Sequence, residues 1–163
     1  MANALIDNSE QFKLVKYIKE LILRPDCNHI MIATGYWDLP GMALVYEELK
    51  DFFARGGKLD LLIGQEPQLQ YYQASREAHT FPDFYIQRDV GSLTDEYKPI
   101  GKLIIDNALT EENPNGMFEI RVYGQGEHRE FLHAKCYIFL GNNHTLAIGI
   151  VGSSNFTLKG LQG

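Results

Sequence analysis

Apolar residues recur along this chain with two periods, and the switches between them lay out the elements. Phe12, Val15, Ile18, Leu21 and Ile22 keep helical spacing. Asn8 stands three residues before Gln11, a capping-box start, and Pro25 ends the helix. The run His29 to Thr34 is apolar and β-branched, which predicts a buried strand. A turn follows at Gly35, carrying Tyr36, Trp37 and Asp38. Pro40 then opens a second helix with Met42, Val45, Leu49, Phe52 and Phe53 on one face. Gly56 and Gly57 close it, and Lys58 to Ile63 is the next strand. Two strands joined by a helix of that length form a right-handed βαβ unit, so the sheet begins parallel.

The middle of the chain predicts helices over Pro67 to His79 and Thr94 to Leu109, the second with Tyr97, Ile100, Leu103 and Ile104 facing inward. Glu111 to Gly116 is a loop dense in turn residues. The last third predicts only strands. Phe118 to Tyr123 comes first, Gly124 to Arg129 interrupts, and Phe131 to Phe139 and Thr145 to Val151 pair across a hairpin at Gly141-Asn142-Asn143.

Composition narrows the class. A chain of 163 residues fits one domain, and one of this size buries roughly two thirds of its unfolded surface without staples. The apolar fraction of 45% excludes a disordered chain. Fifteen basic against 21 acidic residues, a net charge of -6, excludes a generally basic nucleic-acid coat but leaves room for a local basic site. Cys27 and Cys136 are too few for a disulfide framework, and Cys136 reads as a buried free thiol. The N-terminal residues lack the basic start and apolar core of a signal peptide, and no apolar run is long enough to span a membrane. The expected location is the cytoplasm.

The candidate chemistry lies in the hairpin. Along Phe131 to Phe139, Leu132, Ala134, Cys136 and Ile138 share one face and suit a core, while His133, Lys135 and Tyr137 share the other. His133 and Lys135 then stand about 6.5–7 Å apart at the backbone and point the same way. An imidazole beside an ammonium suits a phosphate: one attacks or protonates, the other neutralises an oxygen. A turn centred between Asn142 and Asn143 sets Gly152 opposite His133, leaving room above the imidazole. Ser153, Ser154 and Asn155 emerge beside it with hydroxyls and an amide for phosphate oxygens.

His133-Ala134-Lys135 followed by Gly152-Ser153-Ser154-Asn155-Phe156-Thr157 resembles the phospholipase D superfamily, whose pattern is H-x-K-x4-D and then G-S-x-N. The segment 29–66 resembles the opening βαβ of the same superfamily. The resemblance is to single-motif members: bacterial endonucleases, and the domain at the N-terminus of some superfamily 2 helicases. It implies an α/β fold with a mixed sheet, a parallel βαβ start, a C-terminal antiparallel hairpin and helices on both faces. It further implies a phosphodiesterase or nuclease needing no metal and no cofactor. His133 of one protomer would form a phosphohistidine and His133 of the other would protonate the leaving group, so a twofold homodimer completes the site. Lys135 and Asn155 would hold the phosphate, with Gly152, Ser153 and Ser154 lining it. Arg121 and Arg129 would offset the acidic total locally.

The sequence departs from that pattern in three places. Leu140 stands where the superfamily carries its aspartate. The gap from Lys135 to Gly152 is longer than usual. Asn155 lies eight residues from Gly163, so residues 1–163 read as a domain truncated at its C-terminus or as the first part of a larger protein. The expected function is phosphodiester cleavage in nucleic acid, DNA before RNA, within a helicase or restriction-type protein. The alternative is a non-catalytic phosphate- or DNA-binding module appended to a helicase. A phospholipid substrate is disfavoured, since no amphipathic basic stretch is present.

Three further groupings carry weaker chemistry. His128 and His133, with Glu127 and Glu130, are spaced onto opposite strand faces and make a poor metal set. Trp37 is a rim or core residue before it is a base-stacking platform, and Tyr71 and Tyr72 belong on a helix face.

Overall fold

The structure, a computed structural model, describes residues 13–64, 97–123 and 132–163. The capping pair Asn8 and Gln11, the helix expected over Pro67 to His79 and the break at Gly124 to Arg129 lie outside the described residues.

Helix α1 (Leu14–Leu23) buries Leu14, Ile18 and Ile22. Strand β1 (His29–Thr34) follows within the bounds that its β-branched run predicts. The single helix expected from Pro40 is two: α2 (Leu39–Ala43) and α3 (Tyr46–Ala54). At the junction Leu44 N–H donates to the Gly41 carbonyl and Val45 N–H to that of Met42, the tight i to i−3 bonding that ends a helix. Met42, Val45, Leu49, Phe52 and Phe53 are all buried as their spacing predicts, so the kink redirects the chain without turning its apolar face. Gly56 ends α3 at φ 84°, where a side chain would strain. Its N–H and that of Gly57 donate to the Phe53 and Phe52 carbonyls, a Schellman closure. The Arg55 guanidinium donates to the carbonyls of Ile22, Arg24 and Cys27 and so ties α3 to the end of α1.

Strand β2 (Lys58–Ile63), helix α4 (Lys98–Asn107), strand β3 (Phe118–Val122), strand β4 (Lys135–Leu140) and strand β5 (Ala147–Val151) complete a five-stranded sheet in the order β3-β2-β1-β4-β5. β1, β2 and β3 run parallel; β4 is antiparallel to both β1 and β5. The parallel start and antiparallel end are those expected. A last helix, α5 (Leu158–Gln162), stands where only strand was expected, capped by Thr157, whose hydroxyl accepts from Gly160 N–H at 3.1 Å.

The core lies between one sheet face and the described helices, which pack against one another. Ile30, Ile32, Leu59, Leu61, Phe118, Tyr137 and Phe139 supply the sheet side. Each fully buried large side chain here is worth about 2–3 kcal/mol of apolar transfer.

Two expectations for β4 are corrected. The core face is the one holding Lys135, Tyr137 and Phe139, while Cys136, Ile138 and Leu140 are only half-buried on the other. Tyr137 and Phe139 remove more apolar area from water than Cys136 and Ile138 do, and the lysine goes in with them. The register also differs. Cys136 pairs with Val151, and Gly152 N–H donates to the Lys135 carbonyl at 3.2 Å, so Gly152 lies opposite Lys135 rather than His133. The turn is longer than expected, with a 3-10 segment at Asn142–His144 and Asn143 at φ 53°.

Candidate functional site

The carboxyl ends of β1 and β2 and the entry of β4 meet at one edge of the sheet, the place where open α/β sheets gather ligands. β1 ends at Thr34, which pairs with Lys135, and Gly35 N–H donates to the Ala134 carbonyl at 3.0 Å. The chain from β5 returns to the same edge through Gly152, Ser153, Ser154 and Asn155. Phe156 then bridges Trp37, in parallel with it.

Lys135 is 7% exposed, and its ammonium donates to the His133 carbonyl at 3.0 Å. Among the described residues no carboxylate pairs with it. A buried cation ordinarily has a counter-ion, because removing it from water unpaired is expensive. One backbone carbonyl supplies a partial negative charge and leaves donor capacity on the ammonium for an anion.

Asn155 is half-buried, and its Oδ1 accepts from the Tyr36 N–H at 3.2 Å, with the Thr34 hydroxyl 3.4 Å away. The Thr34 hydroxyl donates to the Tyr36 carbonyl at 2.8 Å and accepts from Phe156 N–H at 3.0 Å. Tyr137 reaches the loop from below. Its hydroxyl donates to the Ser154 carbonyl at 2.8 Å, and its ring meets that of Phe156 edge-on with centroids 6.2 Å apart. Burial pushes the Tyr137 phenol well above its ordinary range, so it stays a neutral donor.

Helix packing fixes the loop from the other side. A Cβ on Gly160 would fall 2.2 Å from the Asn155 carbonyl oxygen, and one on Gly41 would fall 2.6 Å from the Thr157 backbone. Asp38 Oδ1 accepts from both Gly41 N–H, at 2.6 Å, and Leu158 N–H, at 3.0 Å, capping α2 and α5 with one carboxylate.

The structure thus brings Lys135, Asn155, Gly152, Ser153 and Ser154 to one edge. His133 is exposed there, two residues outside β4 rather than within it. A Cβ on Gly152 would meet nothing within 4 Å, so this glycine is not needed for clearance. Arg121 lies elsewhere: its guanidinium is held by Glu119 at 2.7 Å on β3, with β2 and β1 between it and β4, and that bond raises its pKa. Arg129, Glu127, His128 and Glu130 lie outside the described residues, as do Tyr71 and Tyr72. Trp37 is 3% exposed and belongs to the core. Among the described residues no three His, Cys, Asp or Glu side chains group to hold a metal. Both cysteines are unbridged; Cys27 is the buried one, with its thiol pKa raised by burial, and Cys136 is only half-buried.

Sequence reasoning placed Tyr137 beside Lys135 but missed Thr34 and Asp38 as builders of this edge. The available signal for Thr34 was a polar residue ending an apolar strand. The His29–Asp60 contact at 2.7 Å was also missed, because its residues are 31 apart and meet only through the β1–β2 register.

No protein-family model matches the chain, and no curated sequence matches it. Among solved structures, polyphosphate kinase from Porphyromonas gingivalis overlaps 87% of this chain at 13% identity with a TM-score of 0.47. The overlap spans 18% of that chain's length. A likeness this loose carries no functional inference.

Proposed function

We propose that this is a phospholipase D-like phosphoryl-handling domain that cleaves phosphodiester bonds in nucleic acid. One observation carries the reading: a buried lysine with no carboxylate partner among the described residues stands at the sheet edge where the asparagine loop returns. The topology supports it, since a parallel start and an antiparallel hairpin bring the two halves of the H-x-K and G-S-x-N pattern together.

In this reading an imidazole nitrogen of His133 attacks phosphorus, and the bond to the leaving oxygen breaks. That oxygen takes a proton from the second His133 of a twofold dimer. Water then attacks the phosphohistidine, the P–N bond breaks, and the proton returns. Lys135 and the Asn155 amide neutralise and orient the phosphate oxygens, and the Ser153 hydroxyl assists. DNA is the preferred substrate over RNA, in the cytoplasm, within a helicase or restriction-type protein.

The second reading is an idle phosphate-binding module attached to a helicase, favoured by Leu140 at the position of the superfamily aspartate. A chelator-resistant cleavage assay on a phosphodiester separates the two. His133→Ala is expected to abolish turnover with the fold retained, because the side chain is exposed. Undiminished cleavage in that variant overturns the catalytic reading. No cleavage by the wild type, with DNA binding that weakens in Lys135→Ala, establishes the module.

A further inference from the structure

We propose that Thr34 is a positioning residue that sets the orientation of the Asn155 amide and so makes its NH2 group available to the anion. The inference rests on the phosphoryl reading of the site above. The amide orientation follows from chemistry. The atom of Asn155 nearest the Tyr36 N–H, at 3.2 Å, must be the oxygen, because a backbone N–H only donates. The oxygen is therefore turned into the β1 exit, and both amide hydrogens are left for a ligand. Nδ2 has no protein partner among the described residues.

What fixes the Tyr36 peptide that holds this oxygen is the Thr34 hydroxyl, fully buried at the end of β1. It has one proton and two lone pairs. The proton goes to the Tyr36 carbonyl at 2.8 Å rather than to Asn155 Oδ1 at 3.4 Å. A lone pair receives Phe156 N–H at 3.0 Å. One hydroxyl thus binds the residue whose N–H holds the amide and the residue that follows Asn155 in the chain. Thr34 is also the register partner of Lys135, so the same residue indexes the ammonium against the amide. Removing the hydroxyl leaves Phe156 N–H unsatisfied in the interior and weakens the hold on the Tyr36 peptide. The asparagine then samples orientations that present oxygen to the phosphate.

The test follows the Asn155 side-chain NH2 signals in proton–nitrogen spectra as inorganic phosphate is added. Wild type and Thr34→Ser are expected to respond with the same midpoint, since serine keeps the hydroxyl. Thr34→Val is expected to raise the midpoint roughly tenfold or more, while the signals of α1 and β2 stay in place. An unchanged midpoint in Thr34→Val overturns the proposal. Asn155→Asp supplies a check that does not depend on the valine variant folding. It keeps an oxygen for Tyr36 N–H but has no NH2, so phosphate is expected to leave the spectrum unmoved. Phosphate binding by Asn155→Asp as tight as that of wild type overturns the proposal. If wild-type Asn155 ignores phosphate while Lys135 signals respond, the positioning claim fails and the phosphoryl reading stands. If neither responds, both fail.

Discussion

Tyr137 shows how one residue serves both the core and the site. Its ring is buried beside Phe156, and its hydroxyl holds the Ser154 carbonyl. The phenol's pKa is raised by burial above the ordinary 10.0, and that of the Cys27 thiol above the ordinary 9.0. Both groups keep their protons in the fold at a pH where the unfolded chain has lost them. Their contribution is therefore fully present below the unfolded values and is lost progressively as pH rises from those values through the raised folded ones. Denaturant unfolding is expected to show constant stability from these groups up to about pH 8, then a decline that steepens above about pH 10. Tyr137→Phe should cost about 1 kcal/mol at neutral pH through the lost hydrogen bond, yet flatten the alkaline decline. A variant that declines as steeply as wild type would show that this phenol is not the titrating group.

Element packing decides which glycines matter, and the contrast is measurable. Gly160 sits against the Asn155 carbonyl, whereas a side chain at Gly152 meets open space. Gly160→Ala is expected to destabilise the chain by about 1–3 kcal/mol in thermal or denaturant unfolding, through overpacking against backbone that cannot move aside. Gly152→Ala should stay within about 0.5 kcal/mol of wild type. Equal effects would contradict the docking of α5 on the loop. Sequence marked Gly152 and passed over Gly160, since the tight return of α5 onto the Asn155 backbone five residues earlier shows only in three dimensions. β1 and β2 were legible to their end residues because His29–Thr34 and Lys58–Ile63 are apolar runs bounded by turn residues. In β4 the alternation was legible but its sense was not. Both parities carry apolar residues, and the charge of Lys135 argued for the wrong face; the larger rings of Tyr137 and Phe139 were the better guide. The register failed by the same kind of ambiguity. Asn142 and Asn143 each suit a tight turn, and only the 3-10 segment fixes where β5 begins.

At the scale of the whole molecule, charge and site make opposite demands on a nucleic-acid ligand. The net charge of -6 repels a polyanion, while the candidate site offers one buried ammonium. Arg121, which the sequence offered as a second local cation, is engaged by Glu119 on β3 and does not reach β4. On the proposed reading, binding would rest on a few directed contacts to a single phosphate rather than on a basic surface that tracks a backbone. Counterion release scales with the number of phosphates neutralised, at a slope of about −0.7 per phosphate for single strands. A site built around Lys135 and one phosphate should accordingly give a weak complex whose affinity falls with salt at a slope of about −0.7. Fluorescence anisotropy of a short single-stranded oligonucleotide across a salt series measures it. A slope of about −5 or steeper would mean that several cations engage the strand at once. Lys135→Met should bring the slope toward zero if this ammonium is the principal contact, and an unchanged slope in that variant would place the binding surface elsewhere.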